Sequence, residues 1–296
     1  MSGRGLRAAL VGVALGALGL LPAGCGFWEP ARITLVYLTW DENIAVSNLT
    51  KVLLEEELGY ENVELRRAEA PYPVYEMVGS GEADAFQDTW MPNQRDLLSR
   101  VEDDVELLDP WFKGTTRFSV ATPHYMNISS LDQLNGTRAE HIIGIEPGTK
   151  MMQKLPEEVI PEYGLEQQLV EAQTEAMLAE VDRRYRMKEE FAFVAWEPHW
   201  MNEVYELDYL EDPKGALGNL TDPSDISTLV REGLAEDDPA AYAFMDRMEL
   251  TEAQVTGLQT EIREAGDPIE GASSWLEDNR DVVEPWVEAA EKAREG

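Results

Sequence analysis

Three tryptophans stand at the same kind of place. In YLTWDENIAVSN, AFQDTWMPNQRD and FVAWEPHWMNEV an apolar, strand-like run ends in Trp40, Trp90 and Trp196, and a turn or helix start follows. An indole presents a wide apolar face of negative potential and one N–H donor, so it can hold an apolar group or attract a cation. Any one of the three, taken alone, reads as a core or interface aromatic. Three at equivalent strand ends read differently, because ligands of open α/β sheets sit outside the carboxyl ends of the strands. Indole faces around one point suit a cation that carries no hydrogen-bond donor, such as a quaternary ammonium, at ~0.5 to 2 kcal/mol per contact. A cage of carboxylates would accept any solvated amine as readily.

Other residues near these strand ends carry polar chemistry. IIGIEPGTK puts Gly144 and Ile145 at the end of a buried strand just before a helix start, where unpaired backbone N–H groups can meet an anion. The same stretch also reads as a plain strand-to-helix turn that uses glycine for its backbone freedom. Arg95, five positions after Trp90, has the chemistry of a bidentate carboxylate clamp, although an arginine among 58 acids is more often paired on the surface. Asp41 and Glu42 read as first-turn acids of a helix, with attraction for a cation as the alternative. His199 and Trp200 follow Trp196 past Pro198 and read as helix-start and packing residues that support that indole. Asn93, between Trp90 and Arg95, is placed with them as a supporting residue.

Catalysis finds little support. His199 beside Glu197 has acid–base chemistry, but the chain holds no G-x-S-x-G elbow, no H-E-x-x-H, no P-loop and no G-x-G-x-x-G. Its three histidines, His124, His141 and His199, lie far apart without metal-ligand spacing. Neither a cofactor nor a metal is expected. A secreted acidic enzyme and an extracellular adhesion protein are the readings from other classes.

These residues need elements to position them. With 296 residues, 44% of them hydrophobic, the chain can build one large or two medium cores. Strand-like and helical runs alternate from Ile33 onward: ITLVYLTW, then NLTKVLLEEEL ending at Gly59, then VELRRAEA, and again through AFQDTW, RFSVATP, HIIGI and FAFVAW. That alternation predicts an α/β fold with mainly parallel sheets. From about Pro223 to the end the pattern reads as helical and polar-faced, with no strand. No tandem repeat or low-complexity linker is present, so two lobes would be joined by crossing strands.

Charge and targeting bound the partners. The formal net charge of −34 repels nucleic acid and anionic lipid. Basic MSGRGLR, apolar AALVGVALGALGLLPAG and small residues before Cys25 make residues 1–24 an export signal. Cys25 is the only cysteine, so no intramolecular disulfide is possible. LPAGC resembles a bacterial lipoprotein signal, in which Cys25 is lipidated and residues 25–32 tether the protein to the outer face of the cytoplasmic membrane.

From about Ile33 onward the chain resembles the glycine betaine-binding proteins of bacterial ABC-type osmoprotectant importers. TWDENIAVSN, GSGEADAFQDTWMPN, IIGIEPGTK and AWEPHWM carry the resemblance. It implies a two-lobed periplasmic binding protein fold of the Venus flytrap type, with lobe 1 formed by residues 33–121 and 212–296 and lobe 2 by residues 122–211. It also implies that Trp40, Trp90 and Trp196 surround a trimethylammonium group and that the backbone of Gly144 and Ile145 binds the carboxylate. In relatives reading W-x-P-x-x-H the histidine meets that carboxylate, and WMPNQR puts Arg95 there. The implied ligand is glycine betaine or proline betaine, with choline and carnitine as alternatives, and the implied partners are a permease and its ATPase.

Overall fold

The computed structural model describes residues 32–295. The export signal, Cys25 and nearly all of the tether lie outside the described residues. The chain starts with β1 (Arg32–Tyr37), α1 (Asp41–Glu56), β2 (Asn62–Arg67), α2 (Pro71–Gly79), β3 (Ala85–Met91), α3 (Arg95–Leu98), β4 (Val105–Pro110) and the short β5 (Phe112–Lys113). It then passes through β6 (Arg117–Pro123), β7 (His141–Ile143), α4 (Lys150–Lys154), α5 (Ile160–Tyr163), β8 (Gln168–Val170), α6 (Thr174–Arg186), β9 (Ala192–Glu197), α7 (Met201–Val204) and β10 (Leu207–Tyr209). It closes with β11 (Asp225–Arg231), α8 (Leu234–Asp237), α9 (Pro239–Arg247), β12 (Leu250–Thr251), α10 (Glu252–Ala265), α11 (Pro268–Asp278) and α12 (Arg280–Glu295).

Two five-stranded sheets result, one per lobe: β2-β1-β3-β11-β4 and β10-β6-β9-β7-β8. Both are mixed rather than mainly parallel. In the first, β1 runs parallel to β2 and β3, whereas β11 runs antiparallel to β3 and β4. In the second, β7 runs parallel to β8 and β9, whereas β6 runs antiparallel to β9 and β10. The reversed strands β6 and β11 are those that enter a sheet from the other lobe, so they insert against its direction.

Two sequence expectations are corrected here. β11, DISTLVR, lies in the segment read as strand-free, yet it runs between β3 and β4 with residues 226–230 buried. Its apolar positions are interrupted by Ser227 and Thr228 and flanked by acids, which hides the run, and a register shift between Ser227 and Leu229 marks the irregularity. The first crossing also lies upstream of residue 121. All of β6 belongs to the second sheet, where Arg117–Ala121 pair with Phe193–Glu197.

The apolar pattern explains why the layers hold. Ile33, Leu35 and Val36 of β1 and Ala45, Val46, Leu49, Val52 and Leu53 of α1 are all buried, so helix and strand share one core. Gly59 takes a positive φ of 70° just after α1, a conformation that side-chain-bearing residues rarely adopt. At the far end α12 packs on α9, where Trp286 meets Phe244 edge-on at 6.1 Å.

Candidate functional site

Trp40, Trp90 and Trp196 line a single cavity between the lobes, together with Phe118 and Ile145. The topology brings them there. β1 and β3 run parallel, so their carboxyl ends place Trp40 and Trp90 along one edge of the first sheet. β9 and β7 run parallel in the second sheet and place Trp196 and Ile145 along its corresponding edge. Phe118 is paired with Trp196 across β6 and β9, and its ring centroid lies 6.3 Å from that of Trp90. Nothing in the sequence singles out Phe118, because only strand register places it beside the indoles.

Local hydrogen bonds hold each turn. Leu38 N–H donates to Asn43 Oδ1 at 2.8 Å, which fixes the path into α1, where Trp40 is the N-cap. After β3, Gln94 Oε1 accepts from Trp90 N–H at 2.9 Å and from the Tyr75 hydroxyl at 2.7 Å. After β9, Asn202 Nδ2 donates to the Trp196 carbonyl at 2.9 Å. The three indoles are between 3% and 6% exposed, so their polar edges need partners inside the protein.

Those partners are carboxylates in every case. Trp40 Nε1 donates to Glu146 Oε2, Trp90 Nε1 to Asp88 Oδ1 and Trp196 Nε1 to Glu42 Oε2, at 2.9, 2.8 and 2.9 Å. Two of these bonds are exchanged between lobes. Trp40 of the first lobe reaches Glu146 of the second, and Trp196 of the second reaches Glu42 of the first. Glu146 also accepts from Thr39 Oγ1 and from the backbone N–H and hydroxyl of Thr174, so donors converge on both oxygens.

Acidic groups are concentrated behind the rings. Burial pushes the Glu42 carboxyl well above the usual range, with the nearby charge of Asp88 raising it further. Burial likewise pushes Asp88 up to about 8, against the opposing effect of the Trp90 hydrogen bond. Two fully buried acids facing each other disfavour ionisation, and a cation between the indoles would relieve them both. The cavity encloses about 100 Å³, room for a compact solute of a few heavy atoms. An aromatic wall backed by carboxylates attracts a cation, and the indole faces exclude the water that would otherwise compete.

Several residues expected at the site fall elsewhere. Gly144 N–H is already bonded to the Val170 carbonyl at 2.8 Å, as strand pairing requires, and a Cβ there would collide with Met152 Sδ. Ile145 does line the cavity, but its N–H points at Met152 Sδ at 3.4 Å. The backbone pair expected to hold an anion is therefore occupied; Gly148, Thr149 and Lys150, at the start of α4, line the cavity instead. Arg95 is exposed and does not line it. Asp96, Leu97 and Arg100, in and just after α3, line the cavity, and Arg95 at the start of that helix does not.

The supporting residues divide. Asp41 and Glu42 open α1 as expected, but Glu42 also lines the cavity, whereas Asp41 lies behind it. Asp41 Oδ1 accepts from Trp200 Nε1 at 2.5 Å, and His199 Nε2 lies 3.2 Å from Asp41 Oδ2. His199 Nδ1 accepts from Met201 N–H at 3.0 Å, and its ring meets Trp196 edge-on at 4.7 Å. His199 and Trp200 thus pack behind Trp196. Asn93 is different, since it lines the cavity directly. The sequence singles out neither Asp88 nor Glu146, because in a chain with 58 acids nothing local distinguishes them.

Known proteins resemble the chain as a whole. The family described as the substrate binding domain of ABC-type glycine betaine transport system matches residues 31–278. The glycine betaine/carnitine transport binding protein GbuC of Listeria monocytogenes serotype 1/2a (strain 10403S) is 33% identical over 164 residues, 54% of this chain and 52% of that protein. The chain thus spans about half the length of that curated relative. Lactococcal OpuAC, in its closed-liganded conformation complexed with glycine betaine, superposes with a TM-score of 0.77 at 28% identity over 86% of this chain and 99% of that one. The glycine/betaine/L-proline-binding protein ProX of Borrelia burgdorferi gives a TM-score of 0.78 at 25% identity over 89% and 99%. With the match running through both lobes, the chain belongs to the family of substrate-binding domains of ABC-type glycine betaine transport systems.

Proposed function

We propose that this protein captures glycine betaine, or a related zwitterion such as proline betaine, between its lobes and presents it to an ABC importer. The observation that carries the reading is the convergence of Trp40, Trp90 and Trp196 on one cavity, each N–H held by a buried carboxylate. A trimethylammonium group has no hydrogen bonds to lose on entering such a site, so the indoles supply cation–π attraction without a competing polar demand. Binding energy then favours the closed form, which a permease can recognise. Membership of a transport binding family accords with a role without covalent chemistry. Export and attachment through a lipidated Cys25 would keep the protein at the outer face of the membrane, beside its permease and ATPase. Among the described residues no helix is long and apolar enough to cross a membrane.

Choline is the second reading, and Glu42 favours it. A carboxyl group in the cavity wall attracts any ligand with net positive charge, and choline lacks the carboxylate that would oppose it. Calorimetric titration of the full chain with glycine betaine, choline, carnitine and proline decides between them. Saturable binding of glycine betaine, tighter than that of choline, is the expected result. Tighter choline binding would reverse the order, and binding of none would end the proposal.

A further inference from the structure

Asn93 stands out among the residues facing the cavity. Asn93 is 8% exposed and lines the cavity, yet neither Oδ1 nor Nδ2 has a hydrogen-bond partner among the described residues. Buried side-chain amides are normally paired, so an unpaired one at a cavity wall implies a partner that occupies the cavity. The neighbouring residue shows the contrast. Gln94 spends its amide oxygen inside the protein, on Trp90 N–H and the Tyr75 hydroxyl, and so closes the turn after β3. Asn93 contributes no side-chain hydrogen bond to that closure, and its amide lies buried and unpaired at the cavity wall.

The chemistry of the ligand then limits what Asn93 can meet. A quaternary ammonium neither donates nor accepts a hydrogen bond, so it leaves the amide unpaired wherever it sits. Only the other end of the ligand can pair with it. Gly144 N–H is bonded to Val170 and Arg95 is exposed, which removes two of the groups that could have held a carboxylate. We propose that Asn93 Nδ2 donates to the ligand carboxylate, and that this contact sets the preference for a zwitterion over a simple quaternary cation. The proposal rests on the functional reading above.

The isosteric change Asn93→Asp tests it, because it replaces the donor with an anion and leaves volume nearly unchanged. Titration calorimetry with glycine betaine and with choline should show the betaine dissociation constant rising ~10- to 100-fold, the scale of a lost hydrogen bond to a charged group. Choline should stay within about 3-fold of the wild type or bind more tightly, since the new charge attracts a cation. Asn93→Leu, which keeps the shape without polar atoms, should lose betaine affinity and preserve the ligand-free thermal midpoint. It stands in for Asn93→Asp if that variant does not fold. Equal weakening of both ligands, or no weakening of betaine, overturns the contact while leaving the functional reading intact. Where choline binds too weakly to measure, the betaine loss in Asn93→Leu alone decides. If the wild type binds neither ligand, the functional reading fails and the contact falls with it.

Discussion

Two helices open onto the cavity from opposite lobes, and they begin in different chemistry. α1 starts with Asp41 and Glu42, whose carboxyls accept from Trp200 and Trp196 of the other lobe. α4 starts after Gly148 and Thr149, with the Thr149 hydroxyl accepting from Met152 N–H, and its first charged residue is Lys150, paired with Asp96 at 2.7 Å. One entrance backs aromatic rings with acidic groups that a bound cation would ionise, while the other offers small polar groups and a neutralised lysine. A helix N-terminus by itself favours an anion. The acids of α1 cancel that preference at one end of the cavity, and α4 keeps it. The difference suits a ligand with a cationic end and an anionic end.

Removing the aromatic end should break this contrast most severely. Trp196→Ala deletes one wall and leaves Glu42 without its donor, and glycine betaine affinity should fall roughly 100-fold in a calorimetric titration. Trp286→Ala, in the α9–α12 core, serves as the comparison: it should lower stability by ~3 to 5 kcal/mol and leave the affinity of the folded protein unchanged. Similar affinity losses from both would mean that Trp196 acts through stability.

Titrating the acids should sharpen the contrast more gently. Glu42 and Asp88 are both raised in the folded state, Asp88 to about 8. A raised carboxyl contributes stability that is full below its ordinary range and is lost as pH rises through the folded-state value. The ligand-free thermal midpoint should therefore decline between about pH 4 and the Asp88 value of about 8. A bound quaternary cation favours the ionised forms, so affinity should rise over the same range and the decline should flatten with ligand present. A midpoint with the same pH dependence with and without ligand would show that these acids do not sense the cation.

The smallest effect belongs to Arg95. Since Arg95 is exposed and does not line the cavity, Arg95→Ala should leave glycine betaine affinity within about 2-fold. A selective loss for betaine over choline would bring back the carboxylate clamp and give the anionic end a charge that α4 lacks.

Much of this is legible in the residues. The strands ending at Trp40, Trp90 and Trp196 are apolar, β-branched runs followed by turn chemistry, and the structure has a strand at each. β11 is not legible, because a central strand interrupted by Ser227 and Thr228 loses the continuous apolar run that announces such strands. Gly144 defeats a local reading for a related reason. A glycine before a helix has several uses, and here close packing against Met152 is the one the fold employs.

The amino-acid sequence by itself determined which side chains are large, apolar and aromatic, and where each strand must stop, because those properties act over a few neighbouring residues. It thereby determined that three indoles stand at strand ends. Only the tertiary structure decided what stands behind them. Trp40 meets Glu146 across 106 residues, Trp196 meets Glu42 across 154, and Phe118 reaches the same cavity through the register of β6 on β9. Hydrogen bonds and desolvation act through space, so the one acid in many that is buried against an indole becomes distinct only when two lobes bring them together.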